Sequence, residues 1–341
     1  MPKRSFFRPD INEEDCWRSI VLFGRNVASY KFALAASLLD LTPASGDLIR
    51  LEELAVPFAR HIRQHLSHSD KQGTSSSSKF LDACRAANSE DMNESELIET
   101  TVRRGFVNVI DAFHVVSGDD VPLRFFEDER NSHGGIRVTD SFSRLMETVQ
   151  SSNLAPENEA RWRLVETAWE LNLPMGLLSV NYDKEKESLF VVDGANRRKA
   201  VTGARDALNG YQKGRCFYCC CPVSLSAVEV PEVDHLFAYK LKELGLNINL
   251  DGIWNLVLAC STCNGAGEKW DKMPALRFLE KLSQRNEFLI SSHHPLRETL
   301  MSQTGPTESD RHDFLQSVYD FALPALVHEW EPREECSPCP W

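Results

Sequence analysis

The 341-residue chain lacks any apolar run close to the roughly 18 consecutive residues that a membrane-spanning helix needs. Its first residues, MPKRSFFRPDINEED, also lack the apolar core of a secretory signal. Glycine and proline together supply only 33 residues and no internal repeat is visible, which excludes fibrous and collagen-like chains. With 42% hydrophobic residues, the sequence predicts a globular, cytoplasmic protein of about two domains.

The chain also lacks the basic excess of proteins that bind nucleic acid through charge alone, because its formal net charge is −12. The charge is unevenly distributed. Residues 194–285 contain 13 Lys and Arg against 9 Asp and Glu, whereas the rest of the chain contains 25 basic against 41 acidic side chains. One locally basic segment therefore lies within an acidic protein.

Residue spacing predicts an α+β chain: a mainly α N-terminal region of unassigned role (1–193), a central domain (194–285) and a C-terminal helical extension packed on it (286–341). Apolar residues recur at helical spacing in five stretches, 13–41, 49–65, 94–116, 157–172 and 201–210, and a serine-rich loop is predicted at 67–79. Alternating apolar residues predict a strand at 136–139 and a hairpin from 177–182 and 189–192. His61, His65 and His68 have no acid or thiol near them in sequence, so surface histidines are predicted there.

Six of the ten cysteines lie between residues 216 and 263. Cys216 and Cys219 form one Cys-x2-Cys knuckle. Cys260 and Cys263 form a second one, 40 residues further on. Four thiolates from two such knuckles complete a tetrahedral Zn²⁺ shell. Because a closed shell of four sulfurs leaves no position for a substrate, this zinc is predicted to be structural.

The other cysteines leave the metal count open. Cys220 and Cys221 directly follow the first knuckle, so its ligand pair is ambiguous by a residue or two. Cys336 and Cys339 repeat the knuckle spacing near the C terminus, with His328 as the evident nearby ligand, and a second zinc site stays open. Since a cytoplasmic compartment is reducing, metal ligation is favoured over disulfides for the cysteines of this chain.

Between the knuckles, alternating valines at 228, 230 and 233 predict a strand that ends in Asp234 and His235. A lone Asp-His pair is more often a core histidine beside a carboxylate than a functional site. Here the pair is accompanied by Asn255, which precedes the apolar stretch LVLA, and by Asn264, which directly follows the second knuckle. The joint occurrence of these four polar residues favours a functional site.

This assembly, from about Arg198 to Leu282, resembles the His-Asn-His (HNH) endonucleases, the zinc-stapled members of the ββα-metal class. The resemblance implies that residues 194–285 form a nuclease domain that hydrolyses DNA phosphodiester bonds and leaves a 5′-phosphate and a 3′-hydroxyl. It also implies a catalytic Mg²⁺ or Mn²⁺ beside the structural Zn²⁺. A single small site of this kind engages one strand at a time, so a monomer is expected to nick duplex DNA.

The same resemblance implies a role for each polar residue. His235 is the general base, and Asp234 and Asn264 hold the catalytic metal through oxygen atoms. Asn255 braces the loop that follows the dyad, with a simple turn asparagine as the alternative. The connection KLKELGLNINLD at 240–251 is longer than the family pattern and either touches DNA or is filler. Five basic residues either contact phosphates or are solvated surface charges: Arg215, Lys240, Lys269, Lys272 and Arg277.

The helical region that precedes the nuclease segment, including WRSIVLFGRNVASYKFALA, is similar to nucleases of bacterial anti-phage systems, the Zorya type among them. This similarity implies other components of a defence system as partners in addition to DNA. Two rival classes also account for the cysteines: a zinc-ribbon module that binds nucleic acid without cutting it, and a protein-docking scaffold with a degenerate nuclease fold. The zinc-ribbon module leaves the joint presence of Asp234, His235, Asn255 and Asn264 as a coincidence.

Overall fold

The computed structural model describes residues 12–24, 26–75, 77–116, 118–171, 179–192, 197–226, 229–265, 269, 272–291, 294–326 and 328–336. Some predictions fall on residues outside these ranges: Asn172 and Leu177 at the ends of predicted elements, Val228 of the predicted strand, and Cys339. The chain divides into two compact units, an N-terminal unit (residues 11–173) and a C-terminal unit (residues 1–10 and 174–341). The predicted mixture of helices and strands is confirmed. No helix within the described ranges combines the length and apolarity required to cross a bilayer.

Helices predominate in the N-terminal unit. They are α1 (Glu13–Arg18), α2 (Tyr30–Leu41), α3 (Leu51–Leu66), α4 (Lys79–Asn88), α5 (Glu94–Arg104), α6 (Val109–Ala112), α7 (Arg130–His133), α8 (Asp140–Glu147) and α9 (Ser151–Glu170), with a π-helical turn at Ser19–Phe23 after α1. The strands are β1 (Leu48–Arg50), β2 (Val115–Val116), β3 (Asp119–Asp120), β4 (Phe126–Glu129) and β5 (Gly135–Val138). β5 pairs antiparallel with both β1 and β4, and β2 pairs antiparallel with β3.

The helix boundaries have local causes. The predicted helix over 13–41 is interrupted at Gly24, whose backbone is extended. The predicted helix over 94–116 begins with a capping box from Asn93 and Glu96 but ends at Arg104. There the chain turns so that Phe106 packs on Phe58 of α3, with ring centroids 4.8 Å apart. Core packing therefore decides where a helical pattern is broken.

The surface position predicted for His65 is wrong, because this side chain is buried between α3 and α9. Its Nδ1 lies 2.6 Å from Glu166 Oε1, its Nε2 lies 3.0 Å from Glu159 Oε2, and its ring stacks on Trp162. Carboxylates accept hydrogen bonds and do not donate them, so both ring nitrogens of His65 must carry protons. Burial by itself would lower the pKa of His65, but the two carboxylates outweigh it and raise the pKa above its ordinary value of 6.5.

Replacement of His65 by alanine is expected to lower the free energy of unfolding by about 3 kcal/mol, because it leaves the buried carboxylate of Glu166 with only the more distant Arg163, 3.6 Å away, as a cation. A raised folded-state pKa contributes stability that is full below pH 6.5 and is lost as the pH rises through the folded value. The difference between wild type and variant, measured by urea unfolding, should therefore shrink from about pH 6 to pH 9. A difference that grows with pH would contradict this assignment.

The C-terminal unit combines a small sheet, a hairpin and packed helices. Its elements are β6 (Asn181–Asp183), β7 (Ser188–Val192), β8 (Arg198–Gly203), α10 (Ala204–Tyr211), β9 (Glu232–His235), α11 (Lys240–Glu243), a 3-10 turn (Ile253–Asn255), β10 (Leu256–Ala259), α12 (Ser261–Asn264), β11 (Lys272–Pro274), α13 (Leu276–Ser291), α14 (Arg297–Thr304), α15 (Glu308–Ala325) and β12 (His328–Trp330). β6, β7 and β8 form an antiparallel sheet, β9 pairs antiparallel with β10, and β11 pairs parallel with β12.

Arg285 of α13 joins this long helix to the hairpin. Its guanidinium is buried and donates to the backbone carbonyls of Ile253, Trp254 and Leu256, while burial lowers its pKa to about 9. The buried guanidinium thereby finds backbone acceptors at the 3-10 turn and the start of β10. The sequence did not predict this contact, because an arginine within a helix is normally expected at the surface.

Candidate metal centre and polar site

The two knuckles meet in the C-terminal unit. The Sγ atoms of Cys216, Cys219, Cys260 and Cys263 all lie within 4.8 Å of one another, and those of Cys219 and Cys260 are 3.7 Å apart. Sulfurs bound to one Zn²⁺ at about 2.3 Å in a tetrahedron are separated by about 3.8 Å. The four cysteines are therefore placed to hold a metal ion such as zinc, and the ambiguity of the upstream pair is resolved in favour of Cys216 and Cys219.

Both knuckles are tied to the same strand, β10. The first knuckle reaches it through Phe217, whose backbone N–H donates to the Leu258 carbonyl at 2.9 Å. The side chain of Gln212 extends the pairing, because its Nε2 donates to the Leu258 carbonyl and its Oε1 accepts from the Leu258 N–H. The second knuckle follows β10 directly, and the Cys260 N–H points at Cys216 Sγ over 3.4 Å. One buried strand thus brings together cysteines that are distant in the sequence.

The general preference for metal ligation over disulfides does not hold for Cys221. This residue forms a disulfide with Cys336, with the two Cα atoms 4.8 Å apart, so Cys336 is not a ligand of a second zinc. The disulfide is accompanied by a backbone hydrogen bond from Cys336 to the Cys219 carbonyl. Sequence spacing could not reveal it, because 115 residues separate the two cysteines and only the return of the chain through β12 brings them together.

The polar residues lie on the hairpin beside the metal centre. β9 ends in Asp234 and His235, as predicted, and pairs with the fully buried β10 in a register that sets His235 opposite Leu256 and Asp234 opposite Val257. α12, which begins directly after β10, packs against β9 and carries Asn264. The order is strand, strand and short helix, with the second knuckle built into the helix.

His235 is nine-tenths buried, and its Nε2 lies 2.9 Å from Asp251 Oδ1. The carboxylate can only accept, so Nε2 carries the proton in this contact and Nδ1 is the basic nitrogen of the neutral ring. Burial lowers the pKa of His235, while Asp251 opposes the shift, and the imidazole is therefore neutral near pH 7. Asp251 was missed as a site residue. The only sequence signal was that it ends the unexplained insertion at 240–251.

Asn255 is the last residue of the 3-10 turn that leads into β10, and it is completely buried. Its Oδ1 accepts from the Phe237 N–H at 2.8 Å, and its Nδ2 donates to the Phe237 carbonyl at 3.1 Å and to the Leu250 carbonyl at 2.9 Å. One side chain therefore ties the segment after His235 to the segment before Asp251. A simple turn asparagine would not make these contacts, and the role of Asn255 in orienting His235 stays a prediction.

Asp234 is engaged by cationic and hydroxyl donors. Its Oδ2 accepts from Tyr218 Oη at 2.6 Å and from the ammonium of Lys269. Lys269 also donates to Tyr218 Oη and to the His235 carbonyl, and it is buried. Lys269 is therefore neither a solvated surface charge nor a phosphate contact in this conformation. Burial lowers the pKa of Lys269, and Asp234 acts in the opposite direction.

Asn264 bonds to Glu232, with Nδ2 2.5 Å from Glu232 Oε2. Because alternate residues of a strand share a face, Glu232 and Asp234 lie on one face of β9, and Asn264 borders that face. The same alternation directs His235 to the other face, towards Asp251. Among the described residues, Asn264 therefore lies beside the face of β9 that carries Asp234. In this part of the chain, the side chain of His235 makes no hydrogen bond with the side chain of Asp234 or of Asn264.

On this structure the chain is a protein of mixed helices and strands with four cysteines placed to bind one metal ion. No family model, no curated protein and no solved structure matches it. The resemblance to HNH nucleases therefore depends on its motif residues and on the contacts that these residues make.

Replacing Asn255 with alanine is expected to lower the free energy of unfolding by about 2–4 kcal/mol, because three buried backbone groups lose their partner. Urea unfolding of the full chain measures the change. Asn247→Ala, at an exposed position in the insertion, is the matched control and should change stability by less than about 0.5 kcal/mol. Equal effects of the two substitutions would show that Asn255 does not brace the loop.

Proposed function

We propose that this protein is a metal-dependent endonuclease of the HNH type that nicks DNA. The observation that carries the proposal is the Asn255 brace, which ties the loop after His235 to a hairpin that also holds Asp234 and the second cysteine knuckle. A structural hairpin alone does not need an Asp-His pair at the end of one strand and an asparagine at the start of the other. The role in anti-phage defence and the partners it implies stay predictions.

His235 is the proposed general base. A neutral imidazole accepts a proton from water, and its ordinary pKa lies close to working pH. Asp251 holds the ring by accepting from Nε2, which leaves Nδ1 to take the proton and lets the carboxylate stabilise the imidazolium that results. Asp251 is thus a positioning residue for His235, and Asn255 keeps the two segments that carry this pair together.

Asp234 and Asn264 are the proposed ligands of Mg²⁺ or Mn²⁺, and both offer the hard oxygen atoms that these ions prefer. A bound ion of this kind would neutralise charge on the phosphate and on the leaving 3′ oxygen. Because the amide nitrogen of Asn264 faces Glu232, its oxygen remains as the donor to a cation. Asp234 is paired with Lys269, so the proposal requires the ammonium of Lys269 to leave this carboxylate when a divalent cation arrives.

Supercoiled plasmid tests the proposal directly. The full chain, incubated with plasmid and Mg²⁺ or Mn²⁺, is expected to convert it to the open circular form, and the reaction should not proceed without added divalent cation. DNA ligase should reseal the nicks, since it requires a 5′-phosphate beside a 3′-hydroxyl. Nicks that ligase cannot seal would contradict the proposed chemistry, and the absence of nicking with either metal would contradict the assignment as a nuclease.

A second candidate function is a zinc-stabilised module that binds nucleic acid without cutting it. Two observations favour it: Lys269 neutralises Asp234 from a buried position, and His235 faces away from Asp234 along β9. In that case Lys269→Ala should leave the protein inactive on plasmid. If the nuclease proposal is right and the ammonium competes with the metal, Lys269→Ala should instead lower the Mg²⁺ concentration needed for half-maximal nicking.

A further inference from the structure

An aromatic side chain stands exposed beside the candidate base. Tyr239 lies four residues after His235, in the segment that Asn255 ties down through Phe237. Its side chain is 44% exposed, and its ring centroid is 6.3 Å from that of His235. A tyrosine that packed in the core would be covered, whereas nearly half of the Tyr239 side chain is open to solvent at the edge of the site.

The ammonium groups of two lysines lie over this ring. Lys242 Nζ lies 4.4 Å from the ring centroid of Tyr239, and Lys184 Nζ lies 5.5 Å from it. The lysines come from different parts of the C-terminal unit: Lys242 from α11, within the insertion, and Lys184 from the turn between β6 and β7. The fold, and not sequence proximity, therefore concentrates positive charge around one exposed aromatic ring.

Three acids near this ring have other partners or hold the lysines only loosely. In the β6–β7 turn, Asp183 lies near Arg198 and Glu187 pairs with Arg205. Asp251 is 3.6 Å from Lys242 but holds His235 more closely with its other oxygen. A loose, partly exposed ion pair of this kind is weak, so Lys242 can turn to a phosphate at little cost.

We infer that Tyr239, Lys184 and Lys242 form a subsite for one unstacked nucleotide, in which the base stacks on Tyr239 and the lysines contact the flanking phosphates. Aromatic rings beside cations hold single-stranded nucleic acid without reading its sequence. Because both ammonium groups lie over the ring of Tyr239, the inference requires them to move from the ring towards the phosphates when a base stacks there. The ring of Tyr239 lies 6.3 Å from that of His235, so a nucleotide stacked on it would lie beside the proposed base. This inference rests on the proposed nuclease function and specifies its substrate.

The substrate follows from the geometry of stacking. Within a duplex both faces of each base are covered by its neighbours, so a base must be single-stranded or turned out of the helix to lie on Tyr239. The enzyme should therefore prefer single-stranded or locally opened DNA over intact duplex. Supercoiled plasmid provides such openings, whereas a short linear duplex does not.

Fluorescence anisotropy tests the subsite without cleavage. The probes are a labelled 15-nucleotide single strand and the same strand in a duplex, measured with the full chain carrying His235→Ala and without added divalent cation. Adding Tyr239→Leu is expected to weaken binding of the single strand about tenfold and binding of the duplex by less than twofold. Tyr239→Phe, which keeps the ring, should retain the affinity for the single strand.

The lysines are tested through salt dependence. Lys184→Ala and Lys242→Ala should each reduce the slope of log affinity against log salt by about 0.7 on the single strand. Lys186→Ala, which removes a charge two residues from Lys184 but does not approach the ring, is the matched control and should leave the slope closer to the parent value. Far-UV circular dichroism and zinc content should match the parent in every variant.

The result that would overturn the inference is an unchanged affinity of the Tyr239→Leu variant for the single strand, or an equal loss for single strand and duplex. Failure of the His235→Ala protein itself to bind the single strand would also overturn the inference.

Failure of this inference can be distinguished from failure of the nuclease proposal. Binding through Tyr239 without any cleavage by the wild type would reject the enzyme and keep the subsite, whereas cleavage that ignores Tyr239→Leu would reject the subsite alone.

Discussion

Replacing His235 with alanine is expected to reduce the rate of plasmid nicking by about 100-fold or more, because removal of a positioned general base typically costs two to four orders of magnitude. The reason lies in the contacts of the ring: Nε2 is committed to Asp251, which leaves Nδ1 as the nitrogen that the proposal uses to accept a proton. The rate is measured as conversion of supercoiled to open circular plasmid at saturating Mg²⁺, with wild type and variant at equal zinc content.

Two companion variants separate chemistry from folding. Asp251→Asn keeps the size of the side chain but removes its charge, so the ring of His235 is held less well and the rate should fall about tenfold, which is less than for His235→Ala. His312→Ala, at an exposed position of α15, is the control and should nick like the wild type. Nicking that persists unchanged in His235→Ala would remove this residue as the base.

The metal centre could be predicted from the sequence because its chemistry is local. A Cys-x2-Cys knuckle presents two sulfurs from one tight turn, so only the meeting of two knuckles remained to be shown, and the structure brings Cys216 and Cys219 to Cys260 and Cys263. The roles implied for Asp234, His235 and Asn264 are of another kind. Their side chains make contacts that spacing cannot specify, and these roles remain proposals.

Contacts between distant residues account for what could not be predicted. Lys269 reaches Asp234 across 35 positions, and Asp251 reaches His235 from the end of an insertion. The disulfide between Cys221 and Cys336 depends on the parallel pairing of β11 with β12. In each case the sequence contains both partners, but packing sets the distance between them. Local sequence patterns carry no information on that distance.

The same distinction applies to the secondary structure. The predicted hairpin is observed at β6 and β7, yet its third strand, β8, covers residues that had been assigned partly to a helix. Val201, which was counted as the first apolar position of that helix, is in β8, and the helix begins at Ala204. A short apolar pattern fits a strand or a helix equally, and pairing with β7 decides between them.

Removal of the metal ligand Cys260 is expected to unfold the C-terminal unit. Binding of structural zinc contributes about 10–16 kcal/mol, whereas a whole domain is stable by only about 5–15 kcal/mol. Cys260→Ser should therefore lose zinc, detected as metal per chain by mass spectrometry, and should lose amide protection in β9, β10 and α10. The N-terminal unit has its own core around Phe58 and contributes no ligand, so protection in α3 should persist.

The effect of zinc can be distinguished from that of the disulfide. Cys336→Ser breaks the link to Cys221 but leaves all four ligands in place, so this variant should keep its zinc and its protection in β10. Cys84→Ala, a buried cysteine of the N-terminal unit, is the control for loss of a thiol as such. Full zinc content in Cys260→Ser would contradict the four-cysteine site. Unfolding of Cys336→Ser with zinc retained would show that the disulfide, and not the metal, holds the two knuckles together.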